Sequence, residues 1–581
     1  MKRWVGLLLA AGLLAGCTGV PTESKPLVVR TVDHGGPDVS QANITPKAGA
    51  DSRSIVIDFL SASLAADAGH SQARQFLTNA AGRKWKDATA TVVSDDWRIG
   101  VQTLTGRGAT IEVTGRRVGQ VDETGVFSPS PKGIGAGDPE TFTFELVQVE
   151  GEWRIDQLQP GVLITESSFV ATYQRRQLYF YDQSETTLVP DLRYCALSGQ
   201  ALGTWLLAAL LAGPRPELVQ SVINEVPDKV GRPAVVDSDP IMVEMPGTGQ
   251  LDGHARDRLA AQLAYTLDQV RFVGAPLKLT DSGRPVVIPA AHGTTFSAVN
   301  FSSAGPNSVP PGVEPYFLRD GAVIRGVDNK PISGVLGQPG RGLTSVALRR
   351  TAAGDLQVAA VSGNRLETGT TRESTTKLSK VVLPAGALSR PEWRPHADEV
   401  WIGVGTKGSI FRVDEEGVLK RVSITLPVGG LPPGQVMALR FSPDGVRLAA
   451  VLRAADGSMT AWVGSLVTSS SDVRIDSFEP LTPASLVVRD LAWADATKLQ
   501  LVAGASNDET AVWEVMSDGL NLGALTSNGL PGPPTSIAAA PERDPLVSAS
   551  DSMWTLVRGS NTWTTFPGST PTAGTNPVYA R

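Results

Sequence analysis

Met437-Ala438-Leu439-Arg440-Phe441-Ser442-Pro443-Asp444-Gly445 is the stretch on which the fold turns. An apolar run ends in an aromatic residue and then in an Asp-Gly pair, the dipeptide that accepts the backbone of a tight hairpin. The run recurs as Thr344-Ser345-Val346-Ala347-Leu348, Arg390-Pro391-Glu392-Trp393, Arg489-Asp490-Leu491-Ala492-Trp493 and Thr535-Ser536-Ile537-Ala538-Ala539. Taking Leu348, Trp393, Phe441, Trp493 and Ala539 as equivalent gives spacings of 45, 48, 52 and 46 residues. A period of this size with several short strands per unit is that of propeller blades. Further Asp-Gly turns at Asp320-Gly321, Asp456-Gly457 and Asp518-Gly519 supply hairpins within and between blades. Five units are visible directly, and strands within 313–327 meeting the C-terminal end would close another. The expectation over 301–581 is an all-β propeller of five or six blades, a ring without open sheet edges.

The run Phe441-Ser442-Pro443-Asp444-Gly445 resembles the start of a WD40- or TolB-type repeat. Working backwards, a different grammar holds between 167 and 300. Gln177-Leu178-Tyr179-Phe180-Tyr181-Asp182 alternates as a strand, and Leu188-Val189-Pro190 pairs with it. An apolar helix over 201–211 stops at Gly213-Pro214, strands follow at 235–236 and 241–245, then a helix over 258–267 and a strand near 276–279. With Leu210-Leu211-Ala212-Gly213-Pro214 and the helix segment Leu259-Ala260-Ala261-Gln262-Leu263-Ala264-Tyr265-Thr266-Leu267, this order resembles the GerMN domain, an α+β interaction module of cell-envelope proteins. Before it, Ile55, Phe59, Leu60 and Leu64 recur at helical spacing, and strands follow at Thr110-Ile111-Glu112-Val113, 141–146 and Trp153-Arg154-Ile155. Helices first and a meander after them resemble a cystatin-like α+β roll over 51–166.

The start of the chain says where the body works. Lys2 and Arg3 precede a ten-residue apolar segment at 5–14, about half of the roughly 20 needed to span a bilayer, and Leu14-Ala15-Gly16-Cys17 follows directly. This is a lipoprotein signal: small residues admit a peptidase and the Cys17 thiol accepts a diacylglycerol, with an N-acyl group on the new terminus. The expected organisation is a signal peptide at 1–16 and a flexible tether at 17–50, rich in Pro, Ser, Thr and Gly. Two or more acyl chains hold a protein firmly on a membrane where one holds it marginally. The expected location is therefore the extracytoplasmic face of the cell membrane. Without the signal peptide the chain carries 50 basic against 58 acidic residues and no basic stripe, which argues against a nucleic-acid partner. With Cys17 acylated, Cys195 has no intrachain partner and reads as a buried, inert thiol.

No residues assemble into a recognisable catalytic pattern. His34, His70, His254, His292 and His396 stand singly, without metal-ligand spacing. Gly403-Val404-Gly405-Thr406-Lys407-Gly408 matches a dinucleotide glycine pattern, but Ser409-Ile410-Phe411-Arg412-Val413 after it reads as a strand, so the stretch is a hairpin turn. The paired acids Asp95-Asp96 and Glu415-Glu416 fit solvated turns. The expectation is no catalytic residue, no cofactor and no metal, with Cys17 as the one modified site.

Lipobox, tether, roll, GerMN-like domain and propeller, in that order, resemble the LpqB lipoprotein family of actinobacteria across nearly the whole chain. The resemblance implies a non-enzymatic envelope lipoprotein that contacts the extracytoplasmic domain of an MtrB-type sensor histidine kinase and tunes its two-component signalling, with effects on cell division and envelope homeostasis. The alternative is an envelope glycan-binding protein or hydrolase that uses acids in the propeller mouth on cell-wall glycan. Either reading requires the anchor, so Cys17→Ala is expected to move the protein from the membrane pellet to the soluble fraction and to abolish palmitate labelling. Tight membrane retention of the unlabelled form would contradict the anchoring step.

Overall fold

The computed structural model describes residues 44–580 except 66–68, 106–107, 131–138, 308–312, 352, 373–374, 415, 427–433, 470–471 and 558. The lipobox ending at Cys17 and nearly all of the tether lie outside the described residues. The remainder, from Thr45, forms one compact unit.

Its first layer is an eight-stranded sheet whose long strand, Gly108–Val121, alternates buried and exposed side chains as a half-covered strand must. The helix Ser52–Ala62 lies against this sheet, capped by Asp51, whose carboxylate accepts from Ser54 N at 2.9 Å. Ile55, Val56 and Phe59 are buried, and Phe59 meets Phe144 edge-on at 6.0 Å. Burying side chains of this size contributes roughly 1.5–3 kcal/mol each.

The second region holds two sheets. A three-stranded one runs in the order Leu188–Cys195, Gln174–Asp182, Val222–Ile223. The other contains the parallel pair Ile241–Glu244 and Leu277–Asp281, which the helix Gly253–Leu267 crosses between, as a parallel pair requires. That helix starts earlier than the expected 258, because Asp252 caps it through Ala255 N at 2.9 Å and its first turn is polar. Apolar periodicity cannot register such a turn. The helix Gly199–Ala212 stops at Gly213, whose φ of +95° suits glycine. Pro190 sits in an edge strand, where its missing N–H costs no ladder bond.

From Glu314 the chain builds six sheets in a ring. Blades two to six open with Ser345–Arg350, Glu392–Trp393, Gly434–Phe441, Val487–Trp493 and Pro534–Ala538, so the five repeat starts of the sequence are the innermost strands. Blade one takes its innermost strand from the other end of the chain: Thr575–Ala580 pairs with Glu314–Arg319, Tyr316 opposite Val578. Among the described residues the blades number six. Asp320-Gly321 makes a two-residue hairpin with both residues at positive φ. The 403–408 glycine stretch is a hairpin end, with Val404 opposite Ser409.

The repeat tryptophans lock neighbouring blades. Trp393 Nε1 donates to Ala347 O at 3.2 Å and Trp493 Nε1 to Arg440 O at 2.9 Å. Each acceptor is the residue just before the repeat-equivalent position of the previous blade.

Deleting residues 575–581 removes the innermost strand of blade one with the buried side chains Tyr579 and Ala580. The expected loss is on the order of 5 kcal/mol, a large share of a domain's stability. A lower melting temperature and rapid proteolysis within 314–331 would register it; an unchanged melt would mean that the ring closes without this strand.

Candidate functional site

Two places carry most of the buried charge. One is the propeller's central channel. Arg390 precedes Trp393 by three residues and Asp490 precedes Trp493 by three, so the two occupy the same repeat position in blades three and five. The equivalents Ser345, Ala438 and Ser536 are small. Opposite charges at matched positions meet in a closed ion pair, Arg390 Nη1 to Asp490 Oδ2. Arg390 Nη2 also donates to Pro577 O at 3.1 Å, and Asp490 Oδ2 accepts from Ile537 N at 2.9 Å. Arg440 adds contacts to Glu392 at 3.5 Å and to Asp490 at 3.9 Å. Five of the six blades thus contribute to one plug.

Beside the plug a cleft of about 190 Å³ opens at the ends of the innermost strands. Leu348, Trp393, Pro395, Pro443, Val578 and Tyr579 are among its walls, Arg349, Arg350 and Arg394 flank it, and Glu392 belongs to both cleft and plug. Each arginine has an acidic partner: Arg349 pairs with Asp398, Arg350 with Glu314 at 2.9 Å, Arg394 with Glu399 at 3.0 Å. Burial alone would raise the Glu399 carboxyl; hydrogen bonds from Trp401, Arg412 and Arg394 outweigh it and hold the group below its ordinary range.

The other place is the junction of the three regions, centred on the strand Leu188–Cys195. Asp191 and Arg193, 0% and 1% exposed, pair in a fork at 3.1 and 2.8 Å. Arg193 reaches Thr124 O and Oγ1 in the first region at 3.1 and 2.8 Å, and Arg215 donates to Phe127 O there at 3.2 Å. From the propeller, Arg447 donates to Pro190 O at 2.5 Å while pairing with Asp444 at 3.2 Å. Tyr194 OH donates to Asp518 Oδ2 at 2.9 Å. A buried charge stripped of its partner costs several kcal/mol, so these contacts hold one arrangement of the regions against others.

The sequence marked Asp444 and Asp518 only as turn residues. Asp320 and Asp456 occupy the same dipeptide and are exposed, whereas Asp444 and Asp518 are buried in the junction. Nothing in the dipeptide separates the two pairs. The charge at the channel was within reach, since aligning the repeats puts Arg390 and Asp490 in register. Cys195 is buried and unpaired; its Sγ accepts from Leu197 N at 3.3 Å, and burial pushes the thiol pKa up. Asp95 and Asp96 are exposed, and Asp95 accepts from Ser167 N at 3.1 Å. Among the described residues no helix is long and apolar enough to cross a membrane.

Burial raises the Asp518 carboxyl, and Arg215 with the donors Leu520 N and Tyr194 OH offsets this only in part. A carboxyl whose folded pKa stands above its unfolded value contributes stability while protonated and loses it as pH rises through the folded pKa. Asp518→Asn keeps an oxygen for Tyr194 and cannot ionise. Its melting temperature is expected to exceed the parent's by a few degrees above neutrality and to converge with it in mild acid. A variant less stable at both pH values would refute that sign.

Two family models match. One described as "Lipoprotein LpqB, N-terminal domain" covers residues 45–170, and one described as "Lipoprotein LpqB beta-propeller domain" covers residues 321–580. A protein named Lipoprotein LpqB from Mycobacterium bovis (strain BCG / Pasteur 1173P2) is 30% identical over 568 residues, spanning 93% of this chain and 92% of its own. Another of that name from Rhodococcus jostii (strain RHA1) is 27% identical over 586 residues, spanning 96% and 94%. Among solved structures, a virginiamycin B lyase from Staphylococcus aureus overlays 41% of this chain and 89% of its own at 15% identity, with a TM-score of 0.27, too loose to bear on chemistry.

Proposed function

The chain belongs to the LpqB lipoprotein family, and from that premise we propose that it is a lipid-anchored extracytoplasmic binding protein that contacts an MtrB-type sensor histidine kinase and tunes its signalling. The membrane step rests on the lipobox at Cys17 and on the lipoprotein name of the relatives. Cell division and envelope homeostasis are the processes such signalling would affect.

The observation that carries a binding role over a hydrolytic one is the channel plug. A glycosidase needs two carboxylates that flank a substrate bond and exchange protons with it. Here Asp490 is held by Arg390 and by a backbone N–H, and Glu392 faces Arg440. These acids are spent on closing the channel. The junction adds a second support: buried contacts join roll, GerMN-like region and propeller into one compact unit, so a surface offered to a partner is built on all three.

The test is crosslinking and capture from intact membranes with the full lipoprotein as bait and Cys17→Ala as control. Selective recovery of a sensor kinase with the lipidated bait is the expected result. Recovery of wall glycan alone, or of no partner, would overturn the kinase reading and favour the glycan alternative.

A further inference from the structure

We propose that a slot at the open edge of the first region's sheet docks an extended segment of a partner protein, which adds as a further strand and inserts one leucine-sized side chain with a lysine or arginine two positions away. The inference goes beyond the kinase reading and does not depend on it, since such a segment could belong to any envelope protein.

Three observations define the occupant. The first is an unpaired edge. The strand Val162–Thr165 ends the sheet, joined in parallel to Ala90–Val93 and, among the described residues, to no strand on its other side. A strand in a parallel pair turns alternate residues to each neighbour; Val162 N donates inwards to Thr89 O at 2.8 Å, so Leu163 turns its N–H and C=O outwards. A partner backbone can pair there. The second is the slot itself, about 130 Å³ in volume. Leu163, Ile164 and Thr165 form one wall, and because successive side chains of a strand leave opposite faces, the space follows the edge. Ile57, Leu60 and Leu64 form the other, a stripe at helical spacing, and Ile57 is still 38% exposed. Ser61 donates its hydroxyl to Ile57 O at 2.9 Å and Thr165 donates to Ser168 Oγ at 2.8 Å, so these groups are engaged within the protein and the walls favour an apolar occupant. The volume lies a little under that of a cavity that takes up benzene, roughly 150 Å³, which suits a branched aliphatic side chain.

The third is charge. Glu166 follows the strand directly, with Asp95 near it. Asp95 accepts from the neutral donors Ser167 N and Ser167 Oγ, at 3.1 and 2.8 Å, and among the described residues neither acid has an ion-pair partner. Arg116 and Arg98 act on the next acid, Asp96. Burial and then the charge of Asp95 push the Glu166 carboxyl up, as befits an acid without a cation beside it. A basic residue two positions from the inserted side chain lies on the same face of the added strand, roughly 7 Å along it, and supplies the missing charge. An acidic residue there would be repelled.

The slot can be probed on the full-length lipoprotein in non-ionic detergent by fluorine NMR of two peptides with a trifluorinated leucine, acetyl-Lys-Thr-Leu-Thr-Lys-amide and acetyl-Glu-Thr-Leu-Thr-Glu-amide. The lysine probe is expected to broaden and to bind at least about tenfold tighter than the glutamate probe. Its unlabelled form should displace it. The same peptide with Ala in place of Leu should not, and neither should the form N-methylated at Leu and both Thr residues, which lacks the N–H groups for strand pairing. Glu166→Gln should narrow the preference for lysine by about threefold or more, and Ser61→Trp, which fills the slot, should weaken the lysine probe by about tenfold or more. The comparison of peptides on the parent protein stands even if either variant fails to fold. Equal binding of the lysine and glutamate probes, displacement by the alanine or the N-methylated peptide, or unaltered binding to both folded variants would overturn the proposal.

Discussion

The pairing of Thr575–Ala580 with Glu314–Arg319 is the constraint on which the rest of the propeller depends. Strands some 260 residues apart in the chain close a ring whose sheets would otherwise present open edges, a template for unwanted pairing. Closure also brings chemistry together. Pro577 lies on the closing strand and offers its carbonyl to Arg390; Val578 and Tyr579, its next residues, form a wall of the mouth cleft. Plug and cleft are therefore consequences of one strand pairing. The entropic cost of bringing such distant segments together rises only slowly with loop length, which is why a terminal strand can serve as the clasp.

Buried charge does a different task at each of the two sites. Pairing ions in a low-dielectric interior gains little net stability over a well-packed apolar core, because both lose their water. It does penalise every arrangement that separates them. In the channel, the Arg390–Asp490 pair fixes blades three and five across the axis and shuts it. At the junction, Arg447 and Asp518 of the propeller, Arg193 and Tyr194 of the central region and Thr124 of the first region satisfy one another only when all three are seated. These contacts hold the propeller, the second region and the first region in one arrangement.

Much of this architecture was written in local patterns. The period of 45–52 residues placed the innermost strand of blades two to six, because the aromatic repeat residues have a repeated task, shown by the like bonds of Trp393 and Trp493 to the preceding blade. The apolar helix read at 201–211, which the structure extends to Gly199–Ala212, its glycine stop, the hairpin at 403–408 and the buried state of Cys195 followed from composition over a few residues. The polar first turn of Gly253–Leu267 escaped, since periodicity sees only the apolar face. The sixth blade stayed undecided as long as its strands were read separately, because three of its four strands lie at the start of the propeller and the fourth at its end.

By itself the sequence determined the lipobox, the order of regions, the blade period and the turns, all properties of residues within a few positions of one another. Only the tertiary structure decided which acids are structural. Asp444 and Asp456 follow the same rule of turn formation, yet the first is buried against Arg447 and the second meets water. The backbone geometry of a turn is encoded by its own side chains, whereas the partner of a charge is set by segments that arrive from far along the chain. For the same reason the mouth cleft, assembled from both ends of the ring, exists only once the ring is closed.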